Sequence, residues 1–170
     1  AQLGPIARTE SRASAVARMI VLLRQAATHG CELVVFPECA LTAFFPHWHY
    51  DRQDDIDAYF ERTMPNAATQ PLFDCARELG IGFYLGFAEL TIEGGVTHRY
   101  NTSILVDKAG RILGKYRKVH LPGHAEHEPQ RPFQNLEKRY FEVGNLGFPV
   151  FRAFGGIVGC NREIDEATAL

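Results

Sequence analysis

Leu33-Val34-Val35-Phe36-Pro37-Glu38 is the stretch on which the fold turns. Residues 32–36 form a short, β-branched, apolar run, the pattern of a strand buried on both faces. Pro37 ends it, and a carboxylate follows. Upstream, residues 11–29 place Ala13, Val16, Ala17, Ile20, Leu23 and Ala27 at three- and four-residue steps, the period of an amphipathic helix. Gly30 supplies its C-terminal stop. Residues 3–6 read as the end of an earlier strand closed by Pro5. Downstream, residues 51–63 and 71–79 fit short helices, the second ended by Gly80. Three strands follow over residues 81–90, 100–106 and 111–118, joined by turns at Glu93-Gly94-Gly95 and Asp107-Lys108-Ala109-Gly110. Residues 121–147 form a long polar loop rich in Pro, Gly and His, a length that is usually functional. Residues 148–154 and 157–159 close the pattern as strands. Alternating helices and strands followed by hairpins define a mixed α/β class.

The chain has 170 residues, 46 % hydrophobic and 22 % charged, with a formal charge of −2. That composition suits one globular unit. No basic block stands out, so neither nucleic acid nor an anionic membrane surface is an expected partner. The apolar runs fall far short of a membrane span. The four cysteines, Cys31, Cys39, Cys75 and Cys160, match no zinc spacing and read as reduced thiols of a cytoplasmic protein.

Three segments carry candidate chemistry. Glu38 sits just after an apolar strand, where desolvation favours a general acid or base; a solvated loop carboxylate is the plainer alternative. Lys118 sits in Gly114-Lys115-Tyr116-Arg117-Lys118-Val119-His120-Leu121-Pro122. An ammonium there could stabilise an oxyanion or lower a thiol's pKa, against the alternative of a basic strand end in water. Cys160 follows Gly155-Gly156-Ile157-Val158-Gly159. Small neighbours would let a substrate approach the sulfur, although most cysteines are small buried hydrophobes. His47 and His49, or His120, His124 and His127, could be read as metal ligands. The second set lies in a Pro/Gly-rich loop without a helix signal, so no metal site is assigned.

Phe36-Pro37-Glu38, Tyr116-Arg117-Lys118-Val119-His120-Leu121 and Gly159-Cys160-Asn161, in that order, resemble the three motifs of the nitrilase superfamily of carbon–nitrogen hydrolases. Leu41-Thr42-Ala43-Phe44-Phe45-Pro46, residues 101–108, Leu121-Pro122-Gly123-His124 and residues 131–141 are similar to N-carbamoyl-D-amino acid amidohydrolases within it. The resemblance implies a four-layer α-β-β-α sandwich, with residues 1–170 forming the N-terminal part of a single domain that is incomplete at its C-terminal end. It also implies association into homodimers or homotetramers.

The implied chemistry is a Glu–Lys–Cys triad. Glu38 serves as base and acid, Lys118 holds the oxyanion, and Cys160 is the nucleophile. An N-carbamoyl-D-amino acid would be split through a thioester intermediate into D-amino acid, ammonia and carbon dioxide, with no metal or organic cofactor. Another C–N bond, in a β-ureido acid or an amide, is a close alternative, and an inactive chain that only associates with partners is a further one. Glu137 matches a glutamate that supports the lysine in the family, and His120 belongs to the lysine motif. Asn161 and Arg162 follow the nucleophile, with Arg162 the remaining candidate for a substrate carboxylate. Asn135 stands where relatives often show His. Cys160-Asn161-Arg162-Glu163 departs from the family's usual continuation, which suggests missing segments at the junctions around residues 159–163.

Overall fold

The computed structural model describes residues 1–131 and 133–159; Cys160, Asn161, Arg162 and the junctions around them lie outside the described residues. The first helix, α1, spans Arg12–Thr28. The Ser11 hydroxyl accepts from the Ser14 amide at 3.2 Å, a side-chain cap that satisfies an otherwise orphaned donor. Its apolar face buries Ala15, Val16, Met19 and Leu23. Residues 3–6 form no strand, correcting the expectation. Leu3 instead packs into the core beside α1, and the Arg18 guanidinium donates to the Leu3 and Pro5 carbonyls. Side-chain donors satisfy this backbone where a sheet ladder was expected.

Strand β1 is Leu33–Val35. After a 3-10 turn at Phe45–His47 come the short helix α2, Gln53–Asp57, and α3, Gln70–Leu79. Pro71 opens α3 and Gly80 caps it in the left-handed conformation at φ 63°, which glycine adopts without a Cβ penalty. The helix expected over residues 51–63 is shorter because the chain beyond it joins the sheet. Glu61 forms an isolated parallel bridge with Glu89, and Phe60 is buried in an aromatic cluster around Phe45.

Strands β2 (Gly82–Glu93), β3 (Val96–Val106) and β4 (Ile112–Arg117) make a meander that β1 joins in parallel, in the order β1-β2-β3-β4. A four-residue helix, α4, spans Glu137–Tyr140 inside the segment read as loop. A hairpin of β5 (Val150–Ala153) and β6 (Gly156–Gly159) follows.

The meander has two distinct faces. Phe83, Leu85, Phe87, Ile104 and Val106 point to one side and pack with α1 and α3 in the main core. Their alternating neighbours Tyr84, Leu105 and Tyr116 point to the other, against Phe151, Phe154 and Val158 of the hairpin. Glycine makes room for that hairpin. A Cβ at Gly114 would lie 1.9 Å from the Phe151 ring, and one at Gly82 2.3 Å from the Phe154 ring. The result is a helix layer, a sheet and a second β layer, three successive layers of an α-β-β-α sandwich. Strand β1 is not buried on both faces as read from the sequence. Val34 faces the helices, whereas Val35, on the hairpin side, is 52 % exposed. Among the described residues, no helix is long and apolar enough to cross a membrane.

Candidate active site

The strand ends bring charged groups together on the hairpin-facing side of the sheet. Glu38 lies in the turn after β1. Backbone bonds from the Phe36 amide to Tyr84 O and from the Ala40 amide to Gly86 O, both 2.9 Å, bracket that turn on β2. Cys39 takes a positive φ of 46° as the chain reverses. Lys118 follows β4 directly. Its amide donates to Asn101 O at 2.8 Å, and its carbonyl accepts from the Gly144 amide at 2.9 Å. Glu137 opens α4, where its amide donates to the Asn135 side chain at 3.2 Å.

The Lys118 ammonium donates to Glu38 Oε1 at 3.0 Å and to Glu137 Oε2 at 2.9 Å. The Lys118 side chain is 4 % exposed and that of Glu137 2 %, whereas Glu38 keeps 34 %. A buried lysine would ordinarily be pushed toward neutrality. Burial acts that way on Lys118, but the charge of Glu38 and the hydrogen bond and charge of Glu137 outweigh it, and its pKa is raised. Glu137 is also raised, by burial first and then by the Glu38 charge, with Lys118 acting against both. The site thus holds a cation under two carboxylates, one of them partly open to solvent. That is a fixed positive charge beside an accessible proton acceptor, a pairing able to activate a nucleophile and stabilise an oxyanion.

Of the residues singled out in the sequence, Glu38, Lys118, Glu137 and Asn135 converge. Asn135 also donates to Glu137 Oε1 at 3.4 Å. His120 is exposed and its ring stacks on Phe148 at 5.8 Å between centroids. Cys160, Asn161 and Arg162 lie outside the described residues. The sequence reading passed over Asn101, which is fully buried and donates to both Glu38 Oε1 and Glu137 Oε2. An asparagine in mid-strand, a position where it is disfavoured, was the available signal, but its polar neighbours Thr97, His98, Arg99, Thr102 and Ser103 mask it.

Gly123 holds the loop that carries Asn135. It sits at φ 75°, and a Cβ there would fall 2.1 Å from Asn135 O. Gly123→Ala is therefore expected to cost about 1–3 kcal/mol through strain and displaced backbone. It should also weaken the hydrogen bonds of Glu137. A urea midpoint equal to that of the parent would show that the loop accommodates the methyl group.

The same loop is clasped to the residues after the 3-10 turn. The His49 and His127 rings stack at 4.0 Å and 14°. Asp51 lies 3.6 Å from His49, and Gln134 Oε1 accepts from the His127 ring at 3.0 Å. Burial, the His127 charge and the Arg139 charge lower the His49 pKa, with Asp51 opposing them. The unfolded chain therefore binds this proton more readily. The stability contribution is complete above the unfolded histidine pKa of about 6.5 and is lost as the pH falls through the folded value. Amide protection in residues 121–131, taken relative to intrinsic exchange at each pH, is expected to fall below about pH 6, and His127→Phe should suppress that change. Among the described residues, no three His, Cys, Asp or Glu side chains come together to hold a metal ion.

A carbon-nitrogen hydrolase family model matches residues 1–162. The chain is 32 % identical over 130 residues to a nitrilase of Pyrococcus abyssi, covering 76 % of this chain and 42 % of that protein. It is 28 % identical over 134 residues to an N-carbamoylputrescine amidase of Arabidopsis thaliana, covering 77 % and 39 %. Among solved structures, a carbon-nitrogen hydrolase from Helicobacter pylori G27 superposes with a TM-score of 0.64 at 26 % identity, over 86 % of this chain and 45 % of that one. An amidase from Nesterenkonia sp., at 23 % identity and a TM-score of 0.66 over 91 % and 51 %, shares the fold. The chain spans about half the length of the relatives it matches.

Proposed function

The chain belongs to the carbon–nitrogen hydrolase family, and from that premise we propose that it forms the N-terminal part of a cysteine-dependent amidohydrolase domain acting on N-carbamoyl-D-amino acids. The observation that carries the reading is the buried Lys118 held between Glu38 and Glu137. Cys160, within the span matched by the family model, is the nucleophile by its motif.

In the proposed reaction Glu38 takes the thiol proton and the sulfur attacks the ureido carbonyl, forming an S–C bond. Lys118 stabilises the negative oxygen of the tetrahedral adduct. Glu38 returns the proton to the leaving nitrogen, the C–N bond breaks, and ammonia departs. A water deprotonated by Glu38 then attacks the thioester carbon. The S–C bond breaks, the sulfur recovers its proton, and the released carbamate gives carbon dioxide and the D-amino acid. Glu137 stays ion-paired throughout and keeps Lys118 charged and in place.

The carbamoyl preference rests on the motif resemblance at residues 41–46, 101–108 and 131–141. Similarity to N-carbamoylputrescine amidases supports a ureido carbonyl as the reacting group. Similarity to nitrilases keeps a nitrile or amide substrate as the second reading. Ammonia release from the full-length protein, assayed on paired N-carbamoyl-D- and L-amino acids, a β-ureido acid, an aliphatic amide and a nitrile, separates them. Preferred turnover of the D-carbamoyl compounds is expected. Turnover confined to the amide or nitrile would replace the substrate assignment while keeping the chemistry.

A further inference from the structure

Asn101 bonds both carboxylates of the site through its side chain and the Lys118 backbone through its own. It lies on β3, opposite Ala88 of β2, on the hairpin-facing side of the sheet, and is fully buried. Its amide Nδ2 donates to Glu38 Oε1 and, at 3.4 Å, to Glu137 Oε2. Its main-chain carbonyl accepts from the Lys118 main-chain amide at 2.8 Å. Among the described residues its Oδ1 has no hydrogen-bond partner, so the side chain is held at its NH2 end alone.

This geometry answers an electrostatic problem. Two carboxylates on one ammonium repel each other, and a buried site screens that repulsion poorly. An amide NH2 places two partly positive hydrogens between them without adding net charge. It also leaves Lys118 as the one full cation that pairs with them among the described residues. A carboxylate at this position would add a third like charge, and an apolar group would offer no donor. The half-exposed Glu38 needs such an anchor more than Glu137, which is enclosed and braced by Asn135.

We infer that Asn101 is a positioning residue for the hydrolysis: its amide fixes the Glu38 carboxylate in the ionised, proton-accepting orientation and separates it from Glu137. The inference rests on the reading of Glu38 as the base, and its test has one arm that needs no turnover. In full-length protein labelled at the glutamate side-chain carboxyl carbon, the Glu38 resonance, assigned by its loss in Glu38→Gln, is titrated by NMR. Asn101→Ala is expected to raise its midpoint by roughly one pH unit, the scale of one lost hydrogen bond to a charged acceptor. The isosteric Asn101→Asp, which preserves shape where Ala fails to fold, should raise it further. In the kinetic arm, Asn101→Ala should lower kcat about tenfold, leave KM within about twofold, and move the acid limb of kcat/KM upward in step with the titration. An unmoved Glu38 midpoint in the folded variants overturns the inference, as does a loss of kcat at unchanged acid limb that merely follows the loss of thermal stability. Should the parent protein hydrolyse none of the substrates, the proposed reaction fails, while the titration still decides whether Asn101 holds the carboxylate.

Discussion

Lys118→Met is expected to lower the unfolding free energy near neutral pH by about 3–5 kcal/mol, because it strips the counter-ion from a buried carboxylate. Glu137 is 2 % exposed and already raised above its usual range by burial and by Glu38. Removing Lys118 removes the influence that opposes both. A carboxyl whose folded pKa exceeds its unfolded value of about 4.3 keeps its stabilising effect only below that unfolded value, and loses it as the pH rises through the folded one. The deficit of Lys118→Met should therefore be large at pH 8 and shrink toward pH 5, as Glu137 takes up a proton. In the parent, the raised Lys118 pKa gives the complementary dependence. Its ion-pair contribution is complete below the unfolded lysine value of about 10.4 and lost as the pH climbs through the folded one. Urea titrations of the full-length protein at the two pH values measure this, and the double variant Lys118→Met/Glu137→Gln should recover most of the loss. Equal deficits at pH 5 and pH 8, with no recovery in the double variant, would mean that packing of the lysine stem, and not charge, sets the cost.

That pair also marks what the sequence could and could not convey. Helix α1 was readable because two local signals agree. Apolar residues recur at helical steps, and Ser11 and Gly30 bound them. The structure places its ends at Arg12 and Thr28. The meander was readable because Gly94-Gly95 and Asp107–Gly110 punctuate alternating runs. Residues 3–6 were misread because nothing local separates an apolar strand end from a segment held by tertiary bonds. The deciding group, Arg18, lies on a helix a dozen residues away. The same limit hid α4. Four residues carry little periodicity, and α4 exists because the Asn135 side chain accepts its first amide and Leu136 is tied to Pro46 O at 2.9 Å. At the site, Glu38, Lys118 and Glu137 were recognisable through motifs, while the convergence of Asn101 on all three required knowing the register in which Asn101 faces Ala88 and neighbours Lys118.

Glu38→Gln is expected to reduce kcat/KM of the full-length enzyme by about 10²–10⁴-fold, the usual worth of a positioned general base, with little loss of stability. Glu38 is more exposed than Lys118 or Glu137, at 34 % of its side chain. Its replacement leaves Lys118 paired with the buried Glu137 at 2.9 Å. Glutamine preserves the shape and an oxygen that can accept from Asn101, so a fall in rate reports lost proton transfer and not lost packing. The removed charge is also one of the causes that raise Glu137, so that carboxyl should titrate lower in the variant. If Glu38 acts first by taking the thiol proton, iodoacetamide should alkylate the nucleophilic cysteine more slowly near pH 7 in Glu38→Gln, and Cys160→Ala should remove that reactivity and turnover together. Turnover within about threefold of the parent would exclude Glu38 as the base. Hydrolysis persisting in Cys160→Ala would move the nucleophile to Cys39, which is buried in the turn directly after Glu38. A base that also carries the proton to the leaving nitrogen must act in both halves of the reaction. Glu38→Gln should accordingly show neither a burst of ammonia nor an accumulated thioester, whereas a variant impaired only in the water step would show both.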